Sequence, residues 1–161
     1  MKNLLKNPFV ILILAILVCN NASGQERIRQ VSCFDSTLKR QADSLKLELA
    51  KEGFIVVREA AMSMESEYEM PVIVPLNEGN WYQFAFIGDA DSKLYEVRMY
   101  DFNEKQVIYK KHYGDGMESN IISYSFVPRS TEYHVVKPVQ VANRKKSKSL
   151  CGYIIMLKKV K

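Results

Sequence analysis

The chain has 161 residues, 47% of them hydrophobic and 25% charged, the make-up of an ordinary globular domain with a core of its own. Seven glycines and five prolines exclude collagen-like and low-complexity classes, and three cysteines exclude a disulfide-framework miniprotein. The formal charge of +5 falls further once Lys2 and Lys6 are set aside with the leader, so no nucleic-acid partner is indicated.

The leader is the clearest signal. Lys2 and Lys6 make a positive start, Phe9 to Cys19 is an uninterrupted apolar run, and Ala22-Ser23-Gly24 puts small residues at the cleavage positions. That grammar predicts a signal peptide over residues 1–24, cleaved before Gln25. The apolar run falls short of the roughly 20 residues that cross a bilayer, which argues against an uncleaved anchor. Lipidation of Cys19 is the alternative, on a lipobox with Val18 where a small residue is preferred. The expected location is periplasmic or secreted, with no transmembrane segment after cleavage. Cys33 and Cys151 are then the remaining thiols, and an oxidising compartment favours one disulfide between them over two buried free thiols.

Residues 31–52 predict one amphipathic helix. Val31, Phe34, Leu38, Ala42, Leu45 and Leu49 recur at three- and four-residue steps, Ser32 or Asp35 can cap its start, and Gly53 can end it. From Phe54 the period changes to two. Phe54, Val56, Ala60, Met62 and Met64 alternate with polar neighbours, and a short run from Met70 to Pro75 carries prolines suited to a sheet edge. Tyr82, Phe84 and Phe86 form the next alternating set, then Tyr95, Val97 and Met99 after the turn at 88–92. Gln106 to His112, Ile122 to Phe126, Tyr133 to Val141 and Tyr153 to Val160 complete it. About eight short strands at regular spacing predict an all-β fold, an antiparallel β-sandwich with one N-terminal helix. Residues 25–53 would hold the N-terminal segment and helix, and 54–161 the sandwich. Arg144 to Ser149 reads as an exposed loop before the last strand.

The stretch from Trp81 to Leu157 resembles the bacterial pre-peptidase C-terminal domain family. The resemblance rests on Tyr82-Gln83-Phe84, the Gly88-Asp89 turn, the strand Tyr95 to Asp101, and Gly152-Tyr153-Ile154-Ile155. It implies a jelly-roll-like β-sandwich and a non-catalytic accessory or binding module of exported proteins. The family's acidic pair falls on Leu94 and Glu96, leaving one acid, and Thr131-Glu132-Tyr133 stands where the family has a glycine before its corner tyrosine.

Chemistry-bearing groups are sparse. His112 and His134 lie on separate strands without metal-ligand spacing, and no Gly-x-Ser-x-Gly elbow exists. No cofactor is implied, and the residues argue against catalysis. Asp89 and Asp91, with Glu96, are the candidate calcium ligands, although a carboxylate on a Gly-led turn also shapes the turn itself. Trp81 beside Tyr82 is the candidate sugar-stacking platform. Arg144, Lys145, Lys146 and Lys148 are candidate contacts to an anionic glycan or surface. The expectation is an exported module that binds a protein or glycan in the envelope or outside the cell. A structural component of an envelope assembly is the alternative, and a hydrolase the third.

Overall fold

The computed structural model describes residues 31–114, 119–142 and 149–160. The leader with Cys19, and the basic run with Arg144, Lys145, Lys146 and Lys148, lie outside the described residues.

One helix, α1 (Ser36–Lys51), precedes eight strands: β1 (Phe54–Met64), β2 (Val72–Leu76), β3 (Tyr82–Ile87), β4 (Ser92–Tyr100), β5 (Gln106–Tyr113), β6 (Ile121–Phe126), β7 (Glu132–Ala142) and β8 (Leu150–Lys159). They form two antiparallel four-stranded sheets, ordered β1-β8-β3-β6 and β2-β7-β4-β5. The fold is a β-sandwich. Among the described residues, no helix is long and apolar enough to cross a membrane.

The helix begins later than the apolar spacing predicts. Asp35 takes the cap position, its carboxylate accepting from the Thr37 and Leu38 amides at 2.7 and 3.0 Å. That satisfies donors the first turn leaves unpaired, a contribution of about 1 kcal/mol. Val31 and Phe34 therefore fall outside the helix and are exposed, while the Val31 carbonyl accepts from the Ser63 amide. Gly53 ends the helix at φ 84°, where a side chain would be strained. Leu38, Ala42 and Leu49 press onto Ala85, Ile87, Ile155 and Leu157, the outer face of the first sheet.

This second small core explains why β3 and β8 are buried on both sides. Tyr82, Phe84 and Phe86 face the space between the sheets, and Ala85 and Ile87 face the helix. The last strand starts at Leu150 rather than Tyr153, so Cys151 and Gly152 lie inside it. Gly152 is favoured by packing rather than by a turn: a Cβ there would lie 2.6 Å from Met64 Sδ and 3.0 Å from Phe86, so both side chains would have to shift. In β1 the predicted alternation fails at Val56, which is exposed, because the register shifts between Val56 and Arg58.

Two other sequence features fall where their chemistry demands. The proline-bearing strand β2 is an edge. Pro138 sits in the interior strand β7, yet its carbonyl, and hence its missing N–H, points past the end of β2, where Met70 donates to that carbonyl. Cys33 and Cys151 are joined as a disulfide, with Cα atoms 5.8 Å apart. The bond ties the segment before the helix to β8.

Candidate functional site

The helix packs on β1, β8 and β3, all in the first sheet. Among the described residues no helix packs on the outer face of the second sheet, where Glu96 and Val139 are buried and the side chains around them more exposed, and the pairing lays the outward side chains in transverse rows. Tyr113, Leu94 and Val141 make one row; Lys111, Glu96 and Val139 the next; Tyr109, Arg98 and Lys137 the third. Tyr100 and Val135 continue into Ile73, and Tyr133 closes the series opposite Pro75. Tyrosines thus descend diagonally from β5 through β4 to β7. Tyr109, Tyr113 and Tyr133 are 49%, 54% and 59% exposed.

Between the rings lies a fixed charge network. Arg98 donates to Glu69 at 2.6 Å and pairs with Glu96, and Lys137 reaches the other Glu69 oxygen at 3.0 Å. Lys137 Nζ also stands 5.0 Å from the Tyr100 ring centre, and Lys111 Nζ 5.0 Å from that of Tyr113. The hydrogen bond from Lys137, aided by the charges of Lys137 and Arg98, holds the Glu69 carboxyl below its usual range against the opposing effect of burial. A depressed carboxyl contributes stability that is complete above its unfolded value and lost as pH falls through the folded one. Replacing Lys137 by methionine should therefore lower stability at pH 7 by about 1 kcal/mol or less, given the partial exposure. The difference from wild type should close as pH falls below the ordinary carboxyl range and through the lowered folded-state value. Melting curves across pH test this, and a gap that persists at low pH would assign the effect to packing.

The candidates read from sequence fall elsewhere. Tyr82 is buried between the sheets and accepts from the Asn77 amide, so it offers no surface to a ligand. Trp81 lines a groove of about 550 Å³ with Ile55, Asn80, Lys158 and Val160, but Lys159 Nζ lies 4.5 Å above its ring and Phe54 meets it edge to face. Asp89, Asp91 and Glu96 are not brought together. Asp89 accepts from the Asp91 and Cys151 amides, and Glu96 is committed to Arg98. Among the described residues, no three His, Cys, Asp or Glu side chains gather as a metal set.

The acidic turn is instead a structural clamp centred on Gln140, which is fully buried. Gln140 Oε1 accepts from the Asp89 amide at 2.9 Å and the Ser92 hydroxyl at 3.3 Å, and its Nε2 donates to the Cys151 carbonyl at 3.3 Å. Tyr95 donates its hydroxyl to the Asp89 carbonyl at 2.7 Å. Burial, then the nearby Asp89 and Asp91, push the Tyr95 phenol up to about 12. Gly88 is obligatory because a Cβ would lie 2.3 Å from the Tyr95 ring.

Comparison with known proteins adds a distant likeness. No family model matches the chain, and no curated protein matches it. Among solved structures, the K3 cleaved adhesin domain of Lys-gingipain from Porphyromonas gingivalis is 11% identical at a TM-score of 0.39, covering 63% of this chain and 74% of that one. A CBM4 structure is 9% identical at 0.37, covering 66% and 77%. Dimeric latent PorU from Porphyromonas gingivalis is 12% identical at 0.30; the match covers 66% of this chain and 13% of PorU. Likeness this distant says nothing about a ligand.

The tyrosines of the open face are absent from the sequence-based candidates. Their signal was the outward phase of two strands: Tyr109-x-Lys111-x-Tyr113 and Tyr133 put aromatics where alternation calls for polar groups. Only the strand order shows that they share a face.

Proposed function

We propose that this chain is an exported, non-catalytic β-sandwich module that binds a glycan chain across the open face of its second sheet. The observation that carries the reading is the diagonal of tyrosines around a paired charge network. Tyrosine supplies rigid, amphipathic contact area, so little conformational freedom is lost when a sugar ring lies on it. Tyr109 and Tyr113 are four residues apart on one strand, about 13 Å, the reach of a short oligosaccharide rather than of a single ring.

The charge network favours a glycan over a protein. Protein interfaces are depleted in charge at their core, and covering the partly exposed Arg98, Glu69 and Lys137 with apolar surface would desolvate all three. Hydroxyl groups can instead hydrogen-bond to those side chains where they stand. The leader grammar and the long-range disulfide, together with the resemblance to an accessory-domain family, support export and a non-catalytic role.

The test is titration of the chain with soluble oligosaccharides of glucose, xylose and N-acetylglucosamine. Saturable binding is expected with at least one of them, weakened about tenfold by Tyr109→Ala combined with Tyr133→Ala and unchanged by Trp81→Ala. Binding lost in Trp81→Ala but kept in the tyrosine variant would move the site to the groove beside β3. Capture of an envelope protein through the same tyrosines, with no sugar bound, would replace the glycan by a protein or an assembly partner.

A further inference from the structure

A second cavity opens where the β5 and β6 edges part, between the β4–β5 and β6–β7 turns. It has a volume of about 450 Å³, within the range of roughly 300–1,000 Å³ that small-ligand sites occupy. His134 lines it yet is 1% exposed, packed edge-on against the Phe126 ring. Its Nε2 lies 3.6 Å from a Glu132 carboxylate oxygen, and its Nδ1 is buried without a hydrogen-bond partner. An unpaired buried imidazole nitrogen calls for an explanation, and a hydroxyl reaching it from the cavity would supply one.

The remaining lining defines that group. Lys105 and Arg129 are exposed at the cavity, and neither forms an ion pair among the described residues. Asp101, which also lines it, is occupied: its Oδ1 accepts from the Asn103 and Lys105 amides. Lys105 and Arg129, the cations without an ion pair, can hold an anion that keeps clear of the Asp101 and Glu132 carboxylates on the same lining. Glu132 and the His134 nitrogen ask for hydroxyl groups, and Phe126 offers an apolar wall. The cavity joins the open face at Gln106, which lines it and receives the Tyr100 hydroxyl at 3.3 Å.

We infer that this cavity binds a carboxylated sugar, a uronic acid, with Arg129 and Lys105 holding the carboxylate and Glu132 and His134 the hydroxyls. The inference rests on the glycan reading of the neighbouring face and gives that reading a substrate class. Either a free uronic acid or a uronate in a chain could supply this chemistry.

Calorimetric titration of the full-length chain with galacturonate, galactose, acetate and tri-galacturonate tests it. Galacturonate should bind at least about tenfold more tightly than galactose or acetate. Arg129→Gln and Lys105→Gln, both at exposed positions, should each remove most of that preference, and His134→Gln should weaken galacturonate and galactose alike. Tri-galacturonate binding more tightly than the monomer assigns the site to a chain, and equal affinities assign it to the free acid. Galactose binding as tightly as galacturonate, or an Arg129→Gln variant with undiminished affinity, would overturn the inference. A neutral oligosaccharide that binds through Tyr109 while galacturonate does not would reject the cavity and keep the face. Galacturonate binding alone, with every chain indifferent to Tyr109→Ala, would reject the face and keep the cavity.

Discussion

Replacing Cys33 and Cys151 together by alanine should lower stability by about 4 kcal/mol, seen as a fall in Tm of roughly 10–20 °C. The disulfide spans 118 residues of sequence, so its loss restores a large share of the unfolded chain's freedom. In the folded state the bond ties the segment before the helix to β8, the strand that pairs with both β1 and β3. Reduced wild-type protein should melt with the double variant, and thiol counting on the denatured, unreduced chain should find neither cysteine free. A double variant that melts with the oxidised wild type would show that the bond contributes nothing.

The second large effect is expected at Gln140. Gln140→Leu keeps the volume and removes the acceptor, stranding the Asp89 amide and the Ser92 hydroxyl inside the sandwich. Each unpaired buried donor costs about 1–3 kcal/mol, so a loss of about 3 kcal/mol is expected. The turn should loosen before the whole fold does, so amide exchange at Asp89 should accelerate more than at Ile155 in the helix-covered sheet. Denaturant unfolding that changes by less than about 1 kcal/mol would mean that water replaces the glutamine.

Gln140 also shows what the sequence withheld. A glutamine in a strand reads as an outward polar position, and only the meeting of β7 with the β3–β4 turn and β8 makes it a hub. The carboxylates it supports read as a turn, because a carboxylate on a Gly-led turn bonds back to the backbone. Strands with one wet face were plain: Tyr95, Val97 and Met99 are buried in the core, as their alternation requires. Strands buried on both faces were not, because the helix hides Ala85, Ile87, Ile155 and Leu157 where alternation predicts solvent. The helix start was misplaced because Val31 and Phe34 match the apolar spacing by chance, while the Asp35 cap decides the backbone. The proposed binding residues are the least legible of all. Tyr109 and Tyr133 are joined by strand order alone, with β4 between their strands, whereas Trp81 and Tyr82 are adjacent in the sequence itself.

The central claim is that the uncovered face of the second sheet is the surface this chain uses. Amide chemical-shift mapping of the isotope-labelled chain, titrated with the tightest of the glucose, xylose and N-acetylglucosamine oligosaccharides, tests it most directly. Saturating shifts should run along Arg98, Tyr100, Tyr109, Lys111, Tyr133 and Lys137, leaving Ala42, Ile155 and Trp81 in place. Shifts confined to Trp81 and its groove, or no saturable shift with any of the three sugars or with tri-galacturonate, would contradict the account.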